Sequence, residues 1–173
     1  MTELPPLPKP ENQKKGKQNR EEGRAFEEIL DRTFAYYSSK GYAQIDKTPE
    51  PFKIIKRMGN GRFMACFTKR AQPDYKGTIK GGRTVIFEAK YTSSDRLTAD
   101  RVSEVQWSYM EQATELGARC FVLAGFKNGG VYRIPWPVWT GMKEKFGHKY
   151  VTEQDLQDYR ISKSWNDLLL ILD

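Results

Sequence analysis

The chain is poor in the residues that many hydrolases use as nucleophiles or soft metal ligands, with one histidine and two cysteines among 173 residues. His148 has no nucleophile motif beside it, which argues against serine–histidine chemistry. Cys66 and Cys120 lack the paired spacing of a zinc site. Both lie in apolar runs, Met64-Ala65-Cys66-Phe67 and Cys120-Phe121-Val122-Leu123, and are expected as buried free thiols. No glycine-rich loop opens a helix pattern, so ATP hydrolysis is not expected. No run approaches the roughly 20 apolar residues of a membrane span, and Met1 to Pro10 has no apolar signal core. These absences together point to a soluble, intracellular protein with no membrane partner.

Positive charge, by contrast, is plentiful and unevenly placed. The net charge is +7, and hydrophobic residues make up 38% of the chain, enough for one domain with its own core. Between Pro51 and Pro73 stand Lys53, Lys56, Arg57, Arg62, Lys69 and Arg70, with no acidic residue. A second excess comes from Lys9, Lys14, Lys15, Lys17 and Arg20. Such concentration favours a polyanionic partner. Residues 1–20 carry almost no large apolar side chain and are expected as a disordered basic arm ahead of one domain over 21–173.

Along that domain, Phe26, Ile29, Leu30, Phe34 and Tyr37 recur at helical spacing and Gly41 ends the run. A short strand is expected over 42–46. Two β arms, 53–56 and 62–68, flank the Gly59-Asn60-Gly61 tip. A further hairpin pairs 75–79 with 83–91 around Gly81-Gly82. Val102, Val105, Tyr109, Ala113 and Leu116 mark a second amphipathic helix. Cys120 to Ala124 reads as a buried central strand and Val131 to Ile134 as another. Short helices are expected over 137–146 and 152–158. The fold class is α/β, a mixed sheet flanked by helices.

Within the run Thr84-Val85-Ile86-Phe87-Glu88-Ala89-Lys90, side chains alternate between faces. Glu88 and Lys90 therefore point one way, and Val85, Phe87 and Ala89 the other. On its own this is also the pattern of an ordinary ion pair on an exposed sheet. Pro73-Asp74 changes the reading, because the thirteen residues between Asp74 and Glu88 build one hairpin that returns both carboxylates to the same end. Two such oxygen donors suit Mg²⁺, which keeps several waters, and a lysine beside them can orient a water or offset charge on a phosphate.

Pro73-Asp74 followed by Glu88-Ala89-Lys90 resembles the PD-(D/E)xK nuclease signature. More broadly the chain resembles the RecU-type Holliday junction resolvases. The stretches that carry this are Gly23-Arg24-Ala25-Phe26-Glu27-Glu28, Asp74-Tyr75-Lys76-Gly77, Ile86-Phe87-Glu88-Ala89-Lys90 and Gly117-Ala118-Arg119-Cys120-Phe121-Val122, with Tyr159-Arg160-Ile161 a looser match. The resemblance implies a restriction-endonuclease-like core and a homodimer. It implies paired nicks in four-way DNA junctions with Mg²⁺, for which Mn²⁺ substitutes. Bacterial or phage-infected cytoplasm is the implied setting, with recombination proteins as further partners.

Carried over by position, Asp74 and Glu88 would bind metal and Lys90 would serve the attacking water. Glu27 matches an additional acidic ligand, and is equally placed for a solvated helix carboxylate. Gln106 matches a supporting helix glutamine, or an amide on the helix surface. After Lys90 the run Tyr91 to Leu97 departs from the family pattern, which leaves Thr92 without a carried-over role.

The resemblance also assigns residues 53–70 to a protruding β stalk that enters the junction. Lys53, Lys56, Arg57, Arg62, Lys69 and Arg70 would contact phosphates, and Phe63 and Phe67 would stack on unpaired bases. The other reading makes Phe63 and Phe67 the inward face of an ordinary strand. Arg24 and Lys76, near the site residues, are further phosphate candidates. Two alternatives stand beside junction cleavage: a related nuclease acting on flap or duplex DNA, and a junction-binding protein without activity.

Overall fold

The computed structural model describes residues 10–49, 51–67, 72–164 and 166–172, with the side chains of 10–17 and of residue 67 outside the description. Nine strands and four helices are named here. The first helix, α1 (Pro10–Ser39), begins ten residues into the segment read as a disordered arm. Its sequence accounts for this. Pro10 stands at the first helical position, where no N–H is needed, and the Lys, Gln, Asn and Glu that follow include several good helix formers. Lys9 lies outside the described residues. Gly41 takes φ +66° and lets the Tyr42 N–H return to the Tyr37 carbonyl, which ends the helix as the sequence indicates.

The central sheet holds β1 (Ala43–Lys47), β4 (Tyr75–Ile79), β5 (Thr84–Thr92), β7 (Arg119–Phe126) and β8 (Val131–Pro135), in the order β1-β4-β5-β7-β8. Only β5 and β7 run parallel, and α2 (Glu104–Glu115) makes the crossover between them. The other neighbouring pairs are antiparallel. Residues of β5 and β7 are apolar on both faces because both faces are covered. Phe26, Leu30 and Phe34 of α1 pack with Val85, Phe87, Phe121 and Leu123. On the opposite face Met110 of α2 packs with Ile86, Val122 and Ala124. Tyr75, Phe87 and Phe121 stack across three strands, with centroids 5.0 and 4.7 Å apart.

Two short helices, α3 (Trp136–Thr140) and α4 (Met142–Phe146), fill 136–146 as expected, and Trp136 and Trp139 are buried. The expected helix over 152–158 does not form. Asp155 folds back to accept hydrogen bonds from the Thr152 N–H and hydroxyl, and a 3₁₀ turn at Gln157–Tyr159 follows. Tyr150–Thr152 is instead a strand, β9, paired with β6 (Arg96–Thr98), an element the hydrophobic pattern had not marked. Near the C-terminus the chain lies along α1, where the Tyr37 hydroxyl donates to the Leu169 carbonyl and accepts from the Ile171 N–H.

Among the described residues, strands β2 (Phe52–Gly59) and β3 (Arg62–Phe67) pair only with each other. Asn60 and Gly61 turn the tip with φ of +50° and +71°, as a two-residue hairpin requires. Every described side chain of the hairpin is exposed. Phe63 is therefore no core residue; it is 48% exposed and stacks on Phe52 at 5.8 Å. Cys66 is exposed too, against the expectation of burial, because no second layer among the described residues covers the hairpin; Cys120 is buried. Both thiols are free.

Candidate active site

Register decides which side chains meet. Tyr75 of β4 stands opposite Phe87 of β5, so Asp74, one residue earlier, falls beside Glu88. The Asp74 N–H donates to Oε2 of Glu88 at 3.1 Å, and the Asp74 carboxylate accepts the Ala89 N–H at 3.0 Å. Lys90 lies two residues further along the same face and donates to Oε1 of Glu88. The hairpin thus gathers the acid pair and the lysine at one end of the sheet.

Glu88 is fully buried, which rules out the plain surface ion pair. Burial pushes its carboxyl up to about 7. The Lys90 ammonium opposes that rise and the Asp74 carboxylate adds to it. Two carboxylates held together, one of them buried under α2 and paired with the Lys90 ammonium, form a hard-oxygen donor set suited to a divalent cation. Among the described residues no three acidic, histidine or cysteine side chains gather closely enough to hold an ion together. Further oxygens at this pair would come from backbone carbonyls, water or substrate.

Gln106 completes the arrangement. It is buried and donates its amide Nε2 to Oε1 of Glu88 at 2.7 Å. Its own Oε1 accepts from the Ser103 N–H and hydroxyl, both at 3.0 Å. This is the capping box of α2, with Ser103 at the N-cap and Gln106 at the third position. The helix start therefore orients the amide that holds Glu88. The spacing Ser103-x-x-Gln106 was the readable signal for it.

Glu27 stands elsewhere. Its carboxylate pairs with Lys47 at 2.5 Å, and both are about half exposed at the α1 side of the sheet. That hydrogen bond raises the Lys47 pKa, with a smaller contribution from Asp74. Glu27 thus lies near the Asp74 end without joining the Asp74–Glu88 pair. Arg24 is exposed one turn earlier on α1. Lys76 sits on the α2 face, donating to Gln72 and resting 4.6 Å from the Tyr109 ring. The Thr92 hydroxyl donates to the Arg96 carbonyl at 3.4 Å. Of the hairpin residues, Lys53, Lys56, Arg57, Arg62 and Phe63 are exposed, while Lys69 and Arg70 lie outside the described residues.

One contact was not legible in the sequence. The Thr48 N–H donates to the Asp74 carbonyl at 2.7 Å, so the leg leading into the hairpin is tied to the backbone beside the acid pair. The other leg returns through Gln72 and Pro73 directly to Asp74.

The profile of the RecU family, recombination protein U, matches residues 21–170. The chain belongs to this family. Among curated relatives, the Holliday junction resolvase RecU of Listeria welshimeri is 31% identical over 147 residues, covering 79% of this chain and 72% of that protein. The RecU of Pediococcus pentosaceus is 33% identical over 110 residues, 60% of this chain and 54% of its own length. That of Streptococcus sanguinis is 32% identical over 112 residues, 61% and 56% respectively. The chain thus spans little more than half the length of some relatives. A solved structure of Archaeoglobus fulgidus Hjc, a Holliday junction resolvase, aligns with a TM-score of 0.48 at 15% identity, over 80% of this chain and 89% of that one. No helix among the described residues is long and apolar enough to cross a membrane.

Proposed function

We propose that this RecU-family chain is a structure-selective endodeoxyribonuclease that resolves four-way DNA junctions, acting as a homodimer with Mg²⁺ or Mn²⁺. The observation that carries the nuclease reading is the buried Glu88 carboxylate beside Asp74, held from three sides by Lys90, Gln106 and the Asp74 N–H. The relatives named as Holliday junction resolvases direct it to branched DNA.

Asp74 and Glu88 would hold the cation, and the cation would supply charge stabilisation at the phosphate and a more acidic bound water. Gln106 keeps Oε1 of Glu88 in place from the helix side. Lys90, partly open to solvent beside the pair, orients the attacking water or offsets charge developing on the phosphate. The exposed hairpin cations Lys53, Lys56, Arg57 and Arg62 hold phosphates, with Phe63 and Phe52 as flat faces for unpaired bases. Arg24 and Lys76 flank the site for further phosphate contacts. Two sites related by dimer symmetry would match the approximate two-fold symmetry of a junction.

The test is cleavage of a synthetic four-way junction by the wild type, Glu88→Gln and Lys90→Ala, with flap and linear duplex as controls. Expected are paired nicks with Mg²⁺ or Mn²⁺, binding without cutting in Ca²⁺, and loss of cutting with retained binding in both variants. Full activity in Glu88→Gln would sink the assignment. Equal cutting of linear duplex would refute junction selectivity.

A further inference from the structure

Helix α2 covers only part of its face of the sheet. It lies over β5 and β7, and the same face of β1 and β4 stays open beside it as a cleft of about 1120 Å³. The cleft is walled by Thr48, Gln72, Lys76 and Tyr109, floored in part by Ile86 and bounded on edge strand β1 by Asp46. Its inner end adjoins the acid pair. Gln72 and Lys76 stand two residues to either side of Asp74, and Ile86 precedes Glu88 by two on the same strand face. Tyr109 is one turn along α2 from Gln106.

The chemistry of these walls is specific. Tyr109 offers a half-buried ring with the Lys76 ammonium over its face at 4.6 Å. Gln72 is exposed and accepts from that ammonium at 2.5 Å. The Thr48 hydroxyl is buried at the wall and has no hydrogen-bond partner among the described residues. A flat ring, a cation and an amide in one cleft match the parts of a nucleotide: base face, phosphate and base edge. At the β1 end stands the Asp46 carboxylate, a group of the kind that disfavours phosphate and accepts from exocyclic amines.

We infer that this cleft is a subsite for one unpaired deoxynucleotide beside the cut phosphate, its base on Tyr109 and its phosphate on Lys76. The inference rests on the junction-nuclease reading. It assigns to Tyr109, Gln72 and Asp46 a part in choosing where the strand is cut, distinct from the hairpin that engages the branch. Entry of the base moves Lys76 from the ring face to the phosphate.

The experiment uses four-way junctions carrying a single abasic residue at each of the two positions flanking the cut. With Mg²⁺, the wild type should lose on the order of 10-fold in kcat/KM at one of these positions, the scale of one base–aromatic stack. Tyr109→Ala should lose a similar factor on the intact junction and nothing more on the abasic one. Tyr109→Phe should restore the response to the missing base. Lys76→Gln should weaken intact and abasic junctions by the same factor while keeping that response, and it carries the test if Tyr109→Ala does not fold. If the Tyr109→Ala and abasic losses multiply independently, or if neither lesion affects the wild type, the subsite is refuted. Failure of the wild type to cut any four-way junction would overturn the nuclease reading instead. In that event 2-aminopurine at the same position, read in Ca²⁺ during binding, decides the subsite: quenching in the wild type and its loss in Tyr109→Ala support it, and no quenching overturns it.

Discussion

Gln106 donates its side-chain amide to Oε1 of Glu88 at 2.7 Å while its carbonyl accepts from Ser103 at the start of α2. The cap that begins the helix and the support of the central carboxylate are the same side chain. Gln106→Ala removes both. Groups that orient metal-binding carboxylates are worth on the order of 10- to 100-fold in metal affinity or activity. A cleavage titration against Mg²⁺ should show the half-saturating concentration rising by about 10-fold or more. Loss of the reciprocal cap should also lower stability by about 1 kcal/mol, measurable by urea unfolding. An unchanged Mg²⁺ dependence would detach Gln106 from the site.

The raised pKa of Glu88 gives a test of stability without metal. The folded protein keeps a proton on Glu88 up to about pH 7, whereas the unfolded chain releases it near the ordinary 4.5. The folded state therefore binds more protons between these values, and stability falls as pH rises through that window. The contribution is present in full below about pH 4.5 and gone above about pH 7. Glu88→Gln, which cannot ionise, should melt higher than the wild type at pH 8 in chelator, with the gap closing toward pH 4.5. A shift of a few degrees is expected, at roughly 2–4 °C per kcal/mol for a chain of this size. Mg²⁺ at pH 8 should raise the wild-type Tm and leave the variant nearly unmoved.

Gly77 is fixed by close approach of two strands rather than by a turn. A Cβ there would lie 2.1 Å from the Gln44 carbonyl oxygen and 2.7 Å from the Ile45 Cα, both backbone atoms that cannot swing aside. Gly77→Ala should push β1 off β4, disturbing the Thr48–Asp74 bond. The expected loss is about 2–4 kcal/mol of folding stability, with cleavage falling alongside. A near-neutral unfolding curve would show that the strand gap is wider than the geometry gives.

The hairpin of β2 and β3 should behave as a module for DNA rather than for folding. Replacing Lys53, Arg57 and Arg62 with glutamine removes three exposed charges that touch no core. The melting temperature should stay within a degree or two. Junction affinity should fall, and the slope of its logarithm against the logarithm of salt concentration should become shallower by about 2 to 3. Fluorescence anisotropy at several salt concentrations measures this directly. An unchanged slope would remove these cations from the DNA interface.

How much of this was legible in the residues varies by element, for physical reasons. Strand alternation already placed Glu88 and Lys90 on one face and Phe87 on the other, and the β5 backbone obeys that period. Helix α2 and the strands over 75–91 and 119–135 were likewise expected within a few residues of where they lie. The stretch after Thr152 was not. Thr152 and Asp155 have the spacing of a helix start, yet their mutual hydrogen bonds close a turn, and Leu156 is buried in the core before a second turn begins. Local sequence offered the cap, and packing stopped the helix.

Phe63, Ala65 and Cys66 show the reverse case. Their pattern is the same whether a strand is covered or bare, because alternation records two faces and not what lies against them. Only the tertiary structure shows the hairpin standing clear of both cores. Glu88 teaches the same lesson. By itself the sequence determined the chemistry available at the site, two carboxylates and a lysine returned to one end of a hairpin, because a period of two and a thirteen-residue spacing are local facts. The tertiary structure decided that α2 seals Glu88 from water, that Gln106 holds it, and that Glu27 pairs with Lys47 instead of joining it. Those outcomes depend on which distant segments pack together, and such contacts are not encoded in the spacing of any one stretch.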